Sequence, residues 1–193
     1  MTGRLPRRIG EGGLRVLATL ACMAAIGGSS QIPAPVRTVP SVDLNRYLGD
    51  WFEIARLPNR FQTNCFGNVR ATYASTADGR LEVTNRCSRQ NGEVIEAKGV
   101  AKVVDTQSFA RLKVRFAPAV LSLLPMVWGD YWIIGLTDDY SWAVVGSPDR
   151  KYLWILARES SMDVEQYSRA VAVAKANGFA VDSVVKTLHS HTP

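Results

Sequence analysis

The sequence predicts an all-β fold: an eight-stranded, up-and-down antiparallel β-barrel with one C-terminal α-helix packed on its outside. Three observations carry this. From Trp51 onward the chain breaks into short β-rich segments separated by turn signals, and a helical period appears only after Arg158. With 193 residues, 47% hydrophobic and 21% charged, the chain can bury one sizeable core. Eight antiparallel strands on short connections close naturally into a barrel that holds one small ligand.

Taken in order, the first strand spans 51–57. Gly49 supplies the sharp turn before it, and Trp51 starts the alternation with its ring inward. The second strand, 67–75, runs to the turn Ala77-Asp78-Gly79, and the third, 81–87, to Gln90-Asn91-Gly92. The fourth (94–104) and fifth (110–116) meet near Asp105, and the sixth (130–136), seventh (141–146) and eighth (151–158) follow. Alternation turns Leu112, Val114 and Phe116 inward, with Val69, Ala71 and Tyr73, with Leu81, Val83 and Asn85, and with Tyr152, Trp154 and Leu156. The small residues Ala97, Gly99 and Ala101 leave room inside; a barrel packed solid is the competing expectation.

Past Arg158, Ser160 or Ser161 caps a helix with Asp163 and Glu165 in its first turn. Val164, Tyr167, Val171 and Ala174 make its apolar stripe, Asn177-Gly178 ends it, and 179–188 returns as a short ninth strand. Parity of the strands gathers Trp51, Thr137 to Tyr140 and Arg158 at one end of the barrel. The same parity sends Cys65, Cys87 and the loop 117–128 to the other, open end.

The first residues read as an export signal. Arg4, Arg7, Arg8 and Arg15 precede an apolar run, Val16 to Ile26, that is too short to span a bilayer. Thr19-Leu20-Ala21-Cys22 looks like a bacterial lipoprotein cleavage site with Cys22 as the lipidated residue; cleavage after Ser30 is the alternative. This divides the chain into a signal peptide (1–21, or 1–30), a Pro-rich tether (22–42), the barrel domain (43–188) and a tail (189–193).

The signal segment also supplies half of the net charge of +6. The remainder holds no basic helix, aromatic-interleaved basic stripe or zinc spacing, which argues against nucleic acid. Three cysteines are present, and an exported protein tends to leave no stray thiol, so with Cys22 lipidated, Cys65 pairs with Cys87. No Cys-x-x-Cys occurs and the two histidines, His189 and His191, lie in the polar tail, so neither a metal site nor a cofactor is expected.

Gly-Asp-Trp-Phe-Glu-Ile-Ala-Arg (49–56), Thr-Asp-Asp-Tyr (137–140) and Pro-Asp-Arg-Lys-Tyr-Leu-Trp-Ile-Leu-Ala-Arg (148–158) resemble the three conserved regions of the lipocalins. The likeness is to the bacterial outer-membrane lipoprotein type and the related apolipoprotein D branch. It implies that Gly49, Trp51 and Arg158 close the barrel base, with the guanidinium flat over the indole. It also implies a hydrophobic ligand, a fatty acid or lysophospholipid, carried or stored at the bacterial cell envelope by an exported protein anchored in the outer membrane. A periplasmic or secreted soluble protein is the alternative.

Inward and above the base lie the expected ligand-binding residues Tyr73, Asn85, Phe116, Tyr131, Ile133 and Trp154, of which Tyr73, Asn85 and Trp154 match pocket positions of the apolipoprotein D branch. Glu53, inward above Trp51, belongs either with them or with the base. The loop 117–128 has no charge, which suits a lid over the mouth, a plug, or a contact with membrane lipid. No enzyme is expected: catalytic motifs are missing and no histidine falls in the barrel strands. A cysteine-dependent isomerase and a structural envelope lipoprotein remain the alternatives.

Overall fold

A computed structural model describes residues 1–3, 34–77, 80–117, 121, 124 and 127–190. Cys22, the signal segment, His191 and the Asp78-Gly79 turn lie outside the described residues. Nine strands form one sheet: β1 (Gly49–Arg56), β2 (Gly67–Ser75), β3 (Leu81–Ser88), β4 (Val94–Val103), β5 (Arg111–Arg115), β6 (Gly129–Leu136), β7 (Trp142–Gly146), β8 (Leu153–Ala157) and β9 (Val185–Lys186). Neighbours follow in sequence from β2 to β8, β8 pairs with β1, and β1 pairs back onto β2, which closes an eight-stranded antiparallel barrel. The eight expected barrel strands are all present, within about two residues of their predicted ends, whereas the ninth, expected over 179–188, is confined to Val185–Lys186 and is preceded by a 3-10 turn at Val181–Ser183.

Closure is incomplete in one place. Only Gly49 to Phe52 of β1 pair with β2, and beyond them β9 takes over, setting Lys186 opposite Ala55 and Val185 opposite Arg56. Leu188 then bridges to Gly67, and its carbonyl accepts the Asn68 N–H at 2.8 Å. The C-terminal segment thus fills the gap where β1 and β2 diverge toward the mouth. His189 belongs to this closure rather than to a polar tail: its Nε2 bonds the Glu53 carbonyl at 2.7 Å and its ring meets Phe52 edge-on.

Two apolar cores share the barrel wall. Inside lie Trp51, Tyr73, Val83, Leu112, Ile133, Val145 and Leu156, with Trp154 against them. Outside, Ile54, Ala55, Trp142, Val144, Leu153, Ile155 and Ala157 pack under α2 (Val164–Ala176). Asp163, not Ser160 or Ser161, caps that helix by accepting from the Gln166 N–H at 2.7 Å. Of the expected stripe, Ala174 is fully buried and Tyr167 and Val171 pack against the outer core, whereas Val164, in the first turn, is 83% exposed; Ala170 is a further fully buried residue.

A short helix, α1 (Leu44–Tyr47), precedes β1 and has no counterpart in the sequence reading; Asp43 caps it through the Asn45 N–H. The segment expected as a tether is docked in its described part: Val36 is buried beside α2, Val42 in the barrel core, and Arg37 N–H donates to Asn177.

Candidate functional site

The closed end is built around Trp51, which has no exposed surface. Its Nε1 donates to the Tyr47 carbonyl at 2.8 Å, and the Arg158 guanidinium lies 3.9 Å from the indole centroid. The same guanidinium donates to the carbonyls of Asp50 (2.7 Å) and Arg46 (2.6 Å), tying α1 and the start of β1 to the end of β8. Gly49 sits beneath it at a φ of +90°, where a side chain would be strained. Asp139 stabilises the adjoining turn: hydrogen bonds from Thr137 first, then from Ser141, pull its carboxyl down to about 2. Asp138 offers its carbonyl to Arg46. Both aspartates act as turn residues here.

Packed against this plug is a floor of three phenols, with the Tyr47 ring centroid 4.8 Å from that of Trp51. The Tyr73 hydroxyl donates to that of Tyr131 at 2.7 Å, and Tyr131 and Tyr47 share a second bond of 2.9 Å. Register sets Tyr73 opposite Gly49, so Tyr73 stands at the base, lower than the open-pocket position expected of it, and the buried Ile133 packs in the same core. Burial holds all three phenols protonated: Tyr73 is pushed up to about 12, and Tyr47 and Tyr131 well above their ordinary range.

Higher up, the inward face opens. Asn85 pairs with Ala71 on one side and Ala97 on the other, so its amide is flanked by methyl groups and makes no hydrogen bond among the described residues. Ala71, Asn85, Gly99 and Val114 are only half-buried and Ala97 is exposed, although all five point inward. Phe116, just past β5, is 42% exposed at the rim, where its ring lies over Gly99. A Cβ on Gly99 would fall 2.7 Å from that ring and 2.6 Å from the Arg115 carbonyl, so glycine is what lets Phe116 fold inward. Trp154 faces this small-residue wall from β8. Its ring stacks on Tyr152 at 5.9 Å, Tyr152 meets Phe61 of the β1–β2 loop at 5.4 Å, and three rings lead from rim to interior.

Beside Trp154 sits a polar cluster. The nearly fully buried Glu53 accepts from Arg56 Nη1 at 2.8 Å, from Gln62 Nε2 at 2.5 Å and from the Thr187 hydroxyl. Gln62 Oε1 in turn accepts from Trp154 Nε1 at 2.9 Å and from Asn59. Glu53 therefore belongs to the upper chamber wall and not to the base. Arg56 escaped the sequence reading because strict alternation from Trp51 turns it outward. A bulge between Glu53 and Ala55 reverses that: Ile54 and Ala55 both face the outer core, and Arg56 comes into register with the inward Trp154. The only sequence signal was that apolar pair.

At the mouth, Cys65 and Cys87 form a disulfide with Cα atoms 5.5 Å apart, fastening the β1–β2 loop to β3 as expected. Phe61, Phe66, Val94, Leu121 and Leu124 stand exposed around this end. Just before β6, Trp128 has Lys102 Nζ 4.3 Å from its ring centroid; residues 118–120, 122–123 and 125–126 lie outside the described residues.

This arrangement, a tryptophan plug under arginine at one end and an accessible inward face at the other, coincides with a match of residues 42–189 to the lipocalin-like domain family. The chain is a lipocalin. It is 39% identical to temperature-induced lipocalin-1 of Arabidopsis thaliana over 82% of this chain and 85% of that protein. It is 35% identical to the outer membrane lipoprotein Blc of Escherichia coli strain K12, over 87% and 91%. Mouse apolipoprotein D is 29% identical, over 78% and 79%. Among solved lipocalin barrels, insecticyanin of the tobacco hornworm superposes with a TM-score of 0.63 at 19% identity, covering 81% of this chain and 85% of that one, and supports the fold alone.

Proposed function

We propose that this lipocalin binds one hydrophobic ligand with an extended acyl chain, a fatty acid or a lysophospholipid, and carries or stores it at the bacterial cell envelope. The observation that carries the reading is the gradient along the inward face. Side chains are sealed at the level of Trp51, Tyr73 and Ile133 and accessible at the level of Asn85, Ala97, Gly99 and Phe116. A chain entering past Phe61 and Tyr152 meets apolar walls and loses water at about 25 cal/mol per Å² of apolar surface, while Asn85 offers an amide to a polar group.

The likeness to an outer membrane lipoprotein favours export and an anchor of acyl chains on Cys22. The exposed rim residues Phe61, Phe66, Leu121 and Leu124 suit a mouth that meets the lipid surface from which a ligand would come. We read the chain as a carrier and not an enzyme. The isomerase alternative needs a free thiol in the cavity, and Cys65 and Cys87 are joined to each other at the rim. Native mass spectrometry of protein purified without detergent tests the proposal: bound species with masses of fatty acids or lysophospholipids support it, and protein that stays bare after incubation with these lipids refutes it.

A further inference from the structure

Glu53 and Arg56 are the two ionised side chains on the inward face of the described strands, and their bonding capacity is met unequally. The Glu53 carboxylate has three donors: Arg56 Nη1, Gln62 Nε2 and the Thr187 hydroxyl. Arg56 uses Nη1 alone, toward Glu53 at 2.8 Å and Thr187 at 3.4 Å. Its Nε is buried without an acceptor, and its Nη2 makes no hydrogen bond among the described residues. The Nε and Nη2 hydrogens form one edge of the guanidinium, spaced to grip two oxygens of a carboxylate or phosphate. A buried N–H left without a partner is uncommon in a settled structure, because water was given up and nothing replaced it.

We infer that Arg56 is an anion subsite of the barrel, which takes the carboxylate or phosphate head of an amphiphile whose chain runs down between Trp154 and the Asn85–Ala97–Gly99 wall. This rests on the carrier reading and specifies its ligand. Two neutral donors, Gln62 and Thr187, already stabilise Glu53 as an anion, so the guanidinium charge is not consumed by that one contact and can be shared with a second anion. The Arg56 side chain retains 14% of its surface and its Nε edge is covered, so gripping an anion with both hydrogens requires the guanidinium to tilt toward the chamber. Its neighbours there suit an amphiphile: the Trp154 ring lies in register with Arg56 and is held by Gln62, the residue that also holds Glu53. The head is thereby placed toward the mouth and the tail toward the Tyr73–Tyr131 floor.

The test uses the full mature chain, stripped of lipid, and four compounds with the same dodecyl chain: laurate, dodecyl phosphate, dodecanol and dodecyltrimethylammonium. At least one of the two anions should bind about tenfold tighter than dodecanol, the cation should be weakest, and Arg56→Gln should bring the preferred anion to within about twofold of the alcohol. Laurate and dodecyl phosphate separate a carboxylate head from a phosphate one. Arg56→Lys keeps the charge without the two-hydrogen edge and should retain only part of the preference, which serves if Arg56→Gln does not fold. Equal binding of both anions and alcohol by the wild type overturns the subsite and leaves the carrier reading standing. A proportional loss of anion and alcohol in Arg56→Gln also overturns it, by making Arg56 a tie for β9. If no dodecyl compound binds the wild type, the carrier reading falls and the subsite with it.

Discussion

The Arg158 guanidinium lies 3.9 Å from the centroid of the Trp51 indole while bonding the carbonyls of Asp50 and Arg46. Three separate parts of the chain meet in this contact: α1, the start of β1 and the end of β8. Arg158→Ala would leave two carbonyls and an indole face without their partner, and Trp51→Ala would open a cavity in a fully buried site. Urea unfolding should show losses of about 2 and about 3–5 kcal/mol respectively. Arg158→Lys should recover little, since an ammonium cannot lie flat on the ring and bond both carbonyls.

The phenol chain should appear in an alkaline titration. Tyr73 titrates at about 12 in the folded protein against about 10 when unfolded, and Tyr47 and Tyr131 are raised as well. A raised pKa means that the folded state holds its protons more tightly, so this contribution is complete below pH ~10 and declines as pH climbs toward ~12. Absorbance at 295 nm should show three tyrosines ionising late, together with loss of structure. Tyr131→Phe, which strips the partner from both Tyr47 and Tyr73, should cost about 1–3 kcal/mol and more than Tyr47→Phe.

The Cys65–Cys87 bridge closes a loop over a sequence separation of 22 residues, for which chain entropy gives about 3 kcal/mol. Denatured, unreduced protein should yield no thiol from either residue. Reduction should free the loop carrying Gln62 and loosen the hold on Trp154, visible as a change in its fluorescence.

Lipidation has its own measurement. Cells fed a tagged fatty acid should label the wild type and not Cys22→Ser, because two or more acyl chains on Cys22 would anchor the protein stably where one would not. A mature chain beginning at Gln31 would contradict the anchor.

Most of the fold was legible because alternation and turn residues are local signals, as Leu112, Val114 and the turn at Gly92 illustrate. The base was legible through the family likeness, since nothing local in Trp51 or Arg158 says that they touch. What escaped depended on register. The bulge after Glu53 brings Arg56 inward against its parity, and β9 fills a gap that exists only because β1 and β2 diverge, which draws in Thr187 and His189. Tyr73 was rightly placed inward but too high, because parity gives the face of a strand and not the depth along the barrel axis.

Ala97 offers a way to block the chamber without touching the core. It points inward beside Asn85 on β4, across the barrel from β8 by strand order, and is exposed, so Ala97→Trp should fill space inside the upper chamber. Ligand affinity should fall by about tenfold or more while the melting temperature moves by no more than about 2 °C. Equal losses of both would mean that the upper barrel is already packed.

The most direct test of the carrier account is a titration of delipidated wild type with oleate and with oleoyl lysophospholipid, followed by tryptophan fluorescence with a Trp154→Phe control. Trp154 lies on the inward face beside the polar cluster, so an entering chain must pass its indole. The account predicts a saturable change that is lost in Trp154→Phe, abolished by Val114→Arg through the charge placed in the apolar chamber, and accompanied by a rise in melting temperature. Unchanged fluorescence and an unchanged melting temperature with both lipids would contradict it.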